Sequence, residues 1–210
     1  MALDIFEGVL WHPQEIERES MRQVEEFLRP LRLSAGEKAV VGRIIHTGGD
    51  PVLAGQVRFH PLAVEAGVAA LKRGAHIYTD VTMLGAGING SRLKRWGGEV
   101  HCAVHSPEVA AEAKAREITR SAVAMERFGE KLNGQVVAVG NAPTALFVLL
   151  RMIQEGLRPA LVVGMPVGFV GAAYSKELLL RVDVPYITLL GTRGGSPLAA
   201  ATINALLYLS

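Results

Sequence analysis

Apolar positions follow two alternating rhythms along this chain. Short continuous runs fall at 75–79 (AHIYT), 99–103 (EVHCA), 135–139 (QVVAV), 160–164 (ALVVG) and 185–190 (PYITLL). Their length and β-branched content predict strands buried on both faces. Longer segments with helical spacing lie between and after them, near 62–72, 107–128, 142–155, 172–181 and 196–208. Strand alternating with helix predicts an α/β fold, with a mainly parallel sheet covered by helices on both faces.

Two helices precede this pattern. Pro13 suits a first helical position, and Ile16, Ser20, Val24 and Phe27 follow at helical spacing. Ser34 to Glu37 reads S-x-x-E, a capping box. The helix it opens places Val40, Val41, Ile44 and Ile45 on one face, and Gly48 and Gly49 end it. No linker rich in Pro, Ser or charge interrupts the chain. A single domain over 1–210 is expected, with an N-terminal helical segment at about 13–47.

Composition removes several classes. Half of the 210 residues are apolar and a fifth are charged, which excludes a disordered chain. The single Cys102 excludes a disulfide scaffold. The longest apolar stretches, 159–173 and 197–209, fall short of the ~20 residues of a spanning helix. The N-terminus, MALDIFEGVLWHPQE, carries acids where a secretory signal needs a basic start. A cytoplasmic protein with no membrane contact is expected. A net charge of +2 argues against a nucleic-acid groove.

Glycine changes the picture. Three predicted strands run into glycine and small polar residues: Gly140-Asn141-Ala142-Pro143-Thr144, Gly164-Met165-Pro166-Val167-Gly168 and Gly191-Thr192-Arg193-Gly194-Gly195-Ser196. Strand carboxyl ends are where open parallel sheets bind ligands, and the helices that follow offer free N–H groups to anions. Together they suggest a broad pocket for a large anion, although tight β–α turns also favour glycine on their own.

Other motifs divide between chemistry and packing. Gly85-Ala86-Gly87-Ile88-Asn89-Gly90 matches G-x-G-x-x-G after a plausible strand, but the helix from Ser91 to Trp96 is cut by Gly97-Gly98. That is too short for a dinucleotide fold. His101, Cys102 and His105 have metal-ligand chemistry, yet no second cluster completes a ligand set, and Cys102 reads as a small core residue. No metal is expected.

His46 ends the capped helix, three residues after Arg43 and before Thr47, Gly48, Gly49 and Asp50. The helix dipole favours imidazolium there, and an unpaired Arg43 would oppose it. Histidine suits a group that gives a proton and takes it back near neutral pH, but a plain C-capping role fits the same position. Ser20 sits in the apolar stripe, facing either its own helix or a polar ligand. Arg120 falls within the long 107–128 helix, as a carboxylate fork or a solvated charge.

Taken in order, the segments resemble the precorrin-8X methylmutase family, also called precorrin isomerase or cobalt-precorrin-8 methylmutase. The resemblance runs through Pro13-x-x-Ile16-Glu17-x-x-Ser20, Arg43-Ile44-Ile45-His46-Thr47, Asp80-Val81-Thr82-Met83 with Gly87-Ile88, and Thr119-Arg120-Ser121. It continues through Gly140 to Thr144, Gly164 to Gly171, Ser175-Lys176-Glu177 and Gly194 to Ala199. It implies a homodimeric α/β isomerase of cobalamin biosynthesis that moves a methyl group from carbon 11 to carbon 12 of the macrocycle. It implies no methyl donor and no nucleotide cofactor.

His46 falls on the family's proton donor and acceptor, and Ser20 and Arg43 fall on substrate contacts. The matched segments extend the expected substrate-binding set to Thr47, Thr82, Met83, Gly87, Arg120, Asn141, Thr144, Gly168, Arg193, Gly194 and Gly195. Tyr174 stands where the family often has an acid, Thr192 where it has a second basic residue, and Gly48 where it has a second Thr. The other readings are a corrinoid-binding carrier without turnover, and a nucleotide-dependent oxidoreductase built on Gly85–Gly90.

Overall fold

The computed structural model describes residues 8–210. The first part of the N-terminal segment read above for targeting, residues 1–7, lies outside them. The five predicted strands are present in shortened form: Ile77–Thr79 (β2), Val100–His101 (β3), Val136–Val139 (β4), Leu161–Gly164 (β5) and Tyr186–Leu189 (β6). A further strand, Val57–Phe59 (β1), has no counterpart in the sequence reading. Its three residues place Arg58 between two apolar neighbours, too short an alternation to register.

The six-stranded sheet has the order β1-β6-β5-β4-β2-β3. All neighbours are parallel except the edge strand β1, which runs antiparallel to β6 and pairs Val57 with Leu189. Period-2 alternation then sorts the central strands. Val136, Ala138, Leu161 and Val163 enter one hydrophobic core, whereas Val137, Val139 and Val162 enter the other.

Helices cover both faces. Ala35–Gly48 (α2), Ala63–Lys72 (α3) and Ser196–Leu209 (α10) pack on the first core. Arg120–Phe128 (α7), Pro143–Gln154 (α8) and Ala172–Leu179 (α9) contribute to the second. The apolar stretch 197–209 is thus a buried helix, and no helix among the described residues is long and apolar enough to cross a membrane.

Pro13–Leu28 (α1) opens at its proline and lies on α2. Its buried residues are Val24 and Leu28, while Phe27, read as part of the stripe, is exposed. The α2 capping box forms in full: the Glu37 N–H donates to Ser34 Oγ, and the Ser34 N–H donates to the Glu37 carboxylate at 2.8 Å.

Two expectations require correction. The helix read over 107–128 is two helices, Pro107–Ala115 (α6) and α7. Glu117 adopts a positive φ of 52°, and the Thr119 side chain caps the Ala122 N–H of the new helix. Arg120 is therefore the first residue of α7, not a mid-helix charge. The glycine motif 85–90 also does not follow a strand. It spans the end of Thr82–Gly87 (α4) and the start of Gly90–Arg95 (α5), where Asn89 is the cap. A strand–turn–helix phosphate loop is thereby excluded at these residues.

Candidate active site

Parallel strands deliver their following loops to one edge. β2, β4, β5 and β6 lead at that edge into α4, α8, α9 and α10. Asp80, directly after β2, ties two of these loops together. It is 1% exposed, and its carboxylate accepts the N–H groups of Gly140 at 2.9 Å, Asn141 at 2.9 Å and Ala142 at 2.7 Å. Burial raises its pKa, against the pull of those three donors. Asp80 belongs to the Asp80-Val81-Thr82-Met83 motif, but its role is tertiary. An acid directly after an apolar strand was the only sequence signal.

The loops after β5 and β6 are joined by backbone. The Gly195 N–H donates to Met165 O at 2.8 Å, and the Gly168 N–H donates to Thr192 O at 3.0 Å. The site of a Cβ on Gly194 is already filled by the carbonyl oxygens of Met165 and Pro166, so this position requires glycine. Opposite them α2 ends at Gly49, in the left-handed conformation with φ 60°. Between the two rims lies an open cleft of about 400 Å³, lined by Thr47, Gly48, Asp50, Val167, Arg193 and Gly194 among others. The Arg193 guanidinium pairs with the Asp50 carboxylate across it. Asp50 was seen in sequence only as a neighbour of His46.

His46 occupies the last turn of α2, exposed, one residue before Thr47 of the cleft. Arg43 is paired with Glu17 of α1 at 3.1 Å and lies 5.7 Å from the Tyr208 ring, so it is not the unpaired cation considered above. Ser20 is half-buried on α1.

A second cleft of about 510 Å³ opens beside α7 and α8. Thr144 shares a 2.6 Å hydrogen bond with Thr119 there, below the linked charges of Arg116, Glu126 and Arg151. Arg120 lines a separate depression with Lys114 and Ile118. Thr82 and Met83 are exposed at the start of α4, and Gly87 ends that helix with its carbonyl accepting from Asn204. Of the expected residues, Thr47, Arg193 and Gly194 thus line the first cleft, Thr144 the second and Arg120 the third, and the structure does not gather the set into one pocket within one chain. Asn141 and Gly168 belong to the loops between them.

The histidine and cysteine group resolves differently. Cys102 is exposed, with its sulfur 3.9 Å from the Thr82 hydroxyl, which corrects its reading as a core residue. His101 instead gathers with His76 and Glu99, their potential ligand atoms all within 4.8 Å. The His76 Nδ1 accepts the Glu99 N–H at 3.1 Å, so the neutral ring carries its proton on Nε2 and keeps no free lone pair. His101 stacks on Tyr78 at 4.9 Å. These contacts describe packing between β2 and β3.

Comparison with known proteins bears on the whole chain. The precorrin-8X methylmutase family model matches residues 15–209. A cobalt-precorrin-8 methylmutase from Priestia megaterium is 39% identical over 206 residues, covering 98% of this chain and 92% of that protein. A precorrin-8X methylmutase from Pseudomonas aeruginosa is 44% identical over 196 residues, covering 92% and 94%. The solved precorrin-8X methyl mutase of Thermus thermophilus superposes with a TM-score of 0.87 at 43% identity, over 93% of this chain and 95% of that one. With the family model, the curated relatives and the solved structure in agreement over nearly the whole chain, it belongs to the precorrin-8X methylmutase family and is an isomerase.

Proposed function

We propose that this isomerase moves a methyl group from carbon 11 to carbon 12 of precorrin-8X or cobalt-precorrin-8, giving hydrogenobyrinic or cobyrinic acid in cobalamin biosynthesis. His46 gives and takes back the proton. The observation that carries this reading is the pairing of a histidine at the end of α2 with a cleft whose opposite rim is Arg193 and a glycine loop. A corrin acid is a wide apolar ring fringed with carboxylates. Arg193, Arg120 and Arg43 suit those carboxylates, as does the start of α10. Cobalt, where present, enters as part of the substrate.

The proposed cycle is an internal rearrangement. Imidazolium His46 protonates the conjugated ring system near the migrating methyl, which makes the ring electron-poor. The methyl shifts to the adjacent carbon, and the proton returns to His46. Nothing is gained or lost overall, so no methyl donor and no cofactor takes part.

We further propose that the working unit is a homodimer whose second copy closes the open clefts. Phe169 is 95% exposed and Val170 89%, on the β5–α9 loop that also supplies Val167 to the first cleft. An apolar rim of this kind is unusual on a monomer surface.

The test is an absorbance time course with the metal-free and cobalt-loaded precorrin-8 substrates in parallel. Conversion to a corrin acid of unchanged mass is the expected result. A bound but unconverted spectrum with both would overturn the proposed methyl shift in favour of a corrinoid carrier.

A further inference from the structure

Lys176 lies on α9, is not itself among the residues assigned to substrate above, and is 0% exposed. Among the described residues it forms no ion pair. Its Nζ donates instead to the backbone carbonyl of Arg193 at 2.6 Å, reaching from α9 to the loop after β6. A buried ammonium with no carboxylate beside it is costly, so its hydrogen bond to the Arg193 carbonyl carries much of the compensation. Among the described residues, the acid ion-paired with this loop is Asp50, which pairs with the Arg193 side chain rather than with Lys176.

The arrangement is directional. Thr192 O is held by the Gly168 N–H, and the Gly195 N–H is held by Met165 O. Both ties are backbone to backbone and flank Arg193. Among the described residues, the Arg193 carbonyl between them is held by the Lys176 side chain alone. Fixing that carbonyl fixes the peptide plane from which the guanidinium projects over the cleft. The charge that fixes it also adds positive potential behind the cleft floor, where little solvent screens it.

We propose that Lys176 is a positioning residue for anionic substrate: it holds the Arg193 loop so that the guanidinium exchanges Asp50 for a substrate carboxylate. The proposal rests on the functional reading above, in which the cleft takes a corrin polycarboxylate.

The test measures the affinity of hydrogenobyrinic acid by absorbance titration for wild type, Lys176→Met, Arg193→Ala and the double variant. Turnover and thermal melting are recorded beside it. Lys176→Met keeps the length and buried volume while removing donor and charge. Affinity in that variant is expected to fall about tenfold, as for loss of a charge-assisted hydrogen bond. Arg193→Ala in the same background is expected to add little further loss, because the two act as one unit. Lys176→Gln, which keeps a donor, is expected to recover part of the affinity, and it replaces Lys176→Met if that chain fails to fold.

Wild-type affinity in Lys176→Met, or losses that simply add in the double variant, would overturn the proposal. An Arg193→Ala variant that binds as wild type would instead remove the Arg193 contact on which it rests. A wild type that binds no corrin acid would remove the functional reading itself.

Discussion

At the scale of single residues, the clearest result is where charge is buried. Burial pushes the Lys176 pKa from 10.5 down to about 8, so the side chain is still an ammonium at neutral pH. The linkage has a definite sign. The folded state binds fewer protons than the unfolded state between pH about 8 and 10.5, so its stability rises across that window. Relative to Lys176→Met, wild type is expected to gain on the order of 3 kcal/mol between neutral pH and the top of the window. Urea unfolding at a series of pH values checks this, and parallel curves for the two proteins would contradict it. Such residues were hard to read in sequence. Lys176 and Asp80 both sit inside quoted motifs, but burial is a tertiary property that no local pattern displays. His46 was easier, because a capped helix ending in His-Thr-Gly-Gly marks its own terminus.

At the scale of elements, Asp80 shows how one carboxylate shapes a loop. It satisfies three consecutive N–H groups that lead into α8. Asp80→Ala leaves those donors without this partner, and the Gly140 and Ala142 N–H groups are buried. A destabilisation on the order of 3 kcal/mol is expected, read as a lower urea midpoint at unchanged m-value. A variant as stable as wild type would mean that the loop holds its shape without this residue. Most elements were legible because their signals are local. The central strands are buried on both faces and so read as unbroken apolar runs, and α2 carries both of its end signals. The misses share a cause as well. The apolar spacing of α6 continues across the break into α7, so only the positive φ at Glu117 and the Thr119 cap reveal two helices. The glycine motif at 85–90 matched by letters while its backbone is helical on both sides.

At the scale of the whole molecule, the sheet gathers loops from distant parts of the chain onto one edge, which the strand–helix alternation already implied. The sequence could not show that one chain leaves this edge open. The described residues form separate clefts of about 400 and 510 Å³ rather than one enclosed pocket, and apolar side chains stand exposed beside the first. If a second copy covers them, light scattering should return twice the chain mass. Phe169→Asp combined with Val170→Asp should shift that mass toward one chain and weaken corrin binding together. A wild type with the mass of one chain would rule out the dimer.

The central claim is that His46 moves the proton while the clefts hold the ring. The most direct measurement compares wild type with His46→Ala in two readings on the same protein: the rate of precorrin-8 conversion, and the affinity for the corrin acid product. Turnover is expected to fall by roughly 10²–10⁴-fold, the usual contribution of a positioned acid–base group, while product affinity changes little. Unchanged turnover in the variant would contradict the account and return His46 to the role of a helix cap.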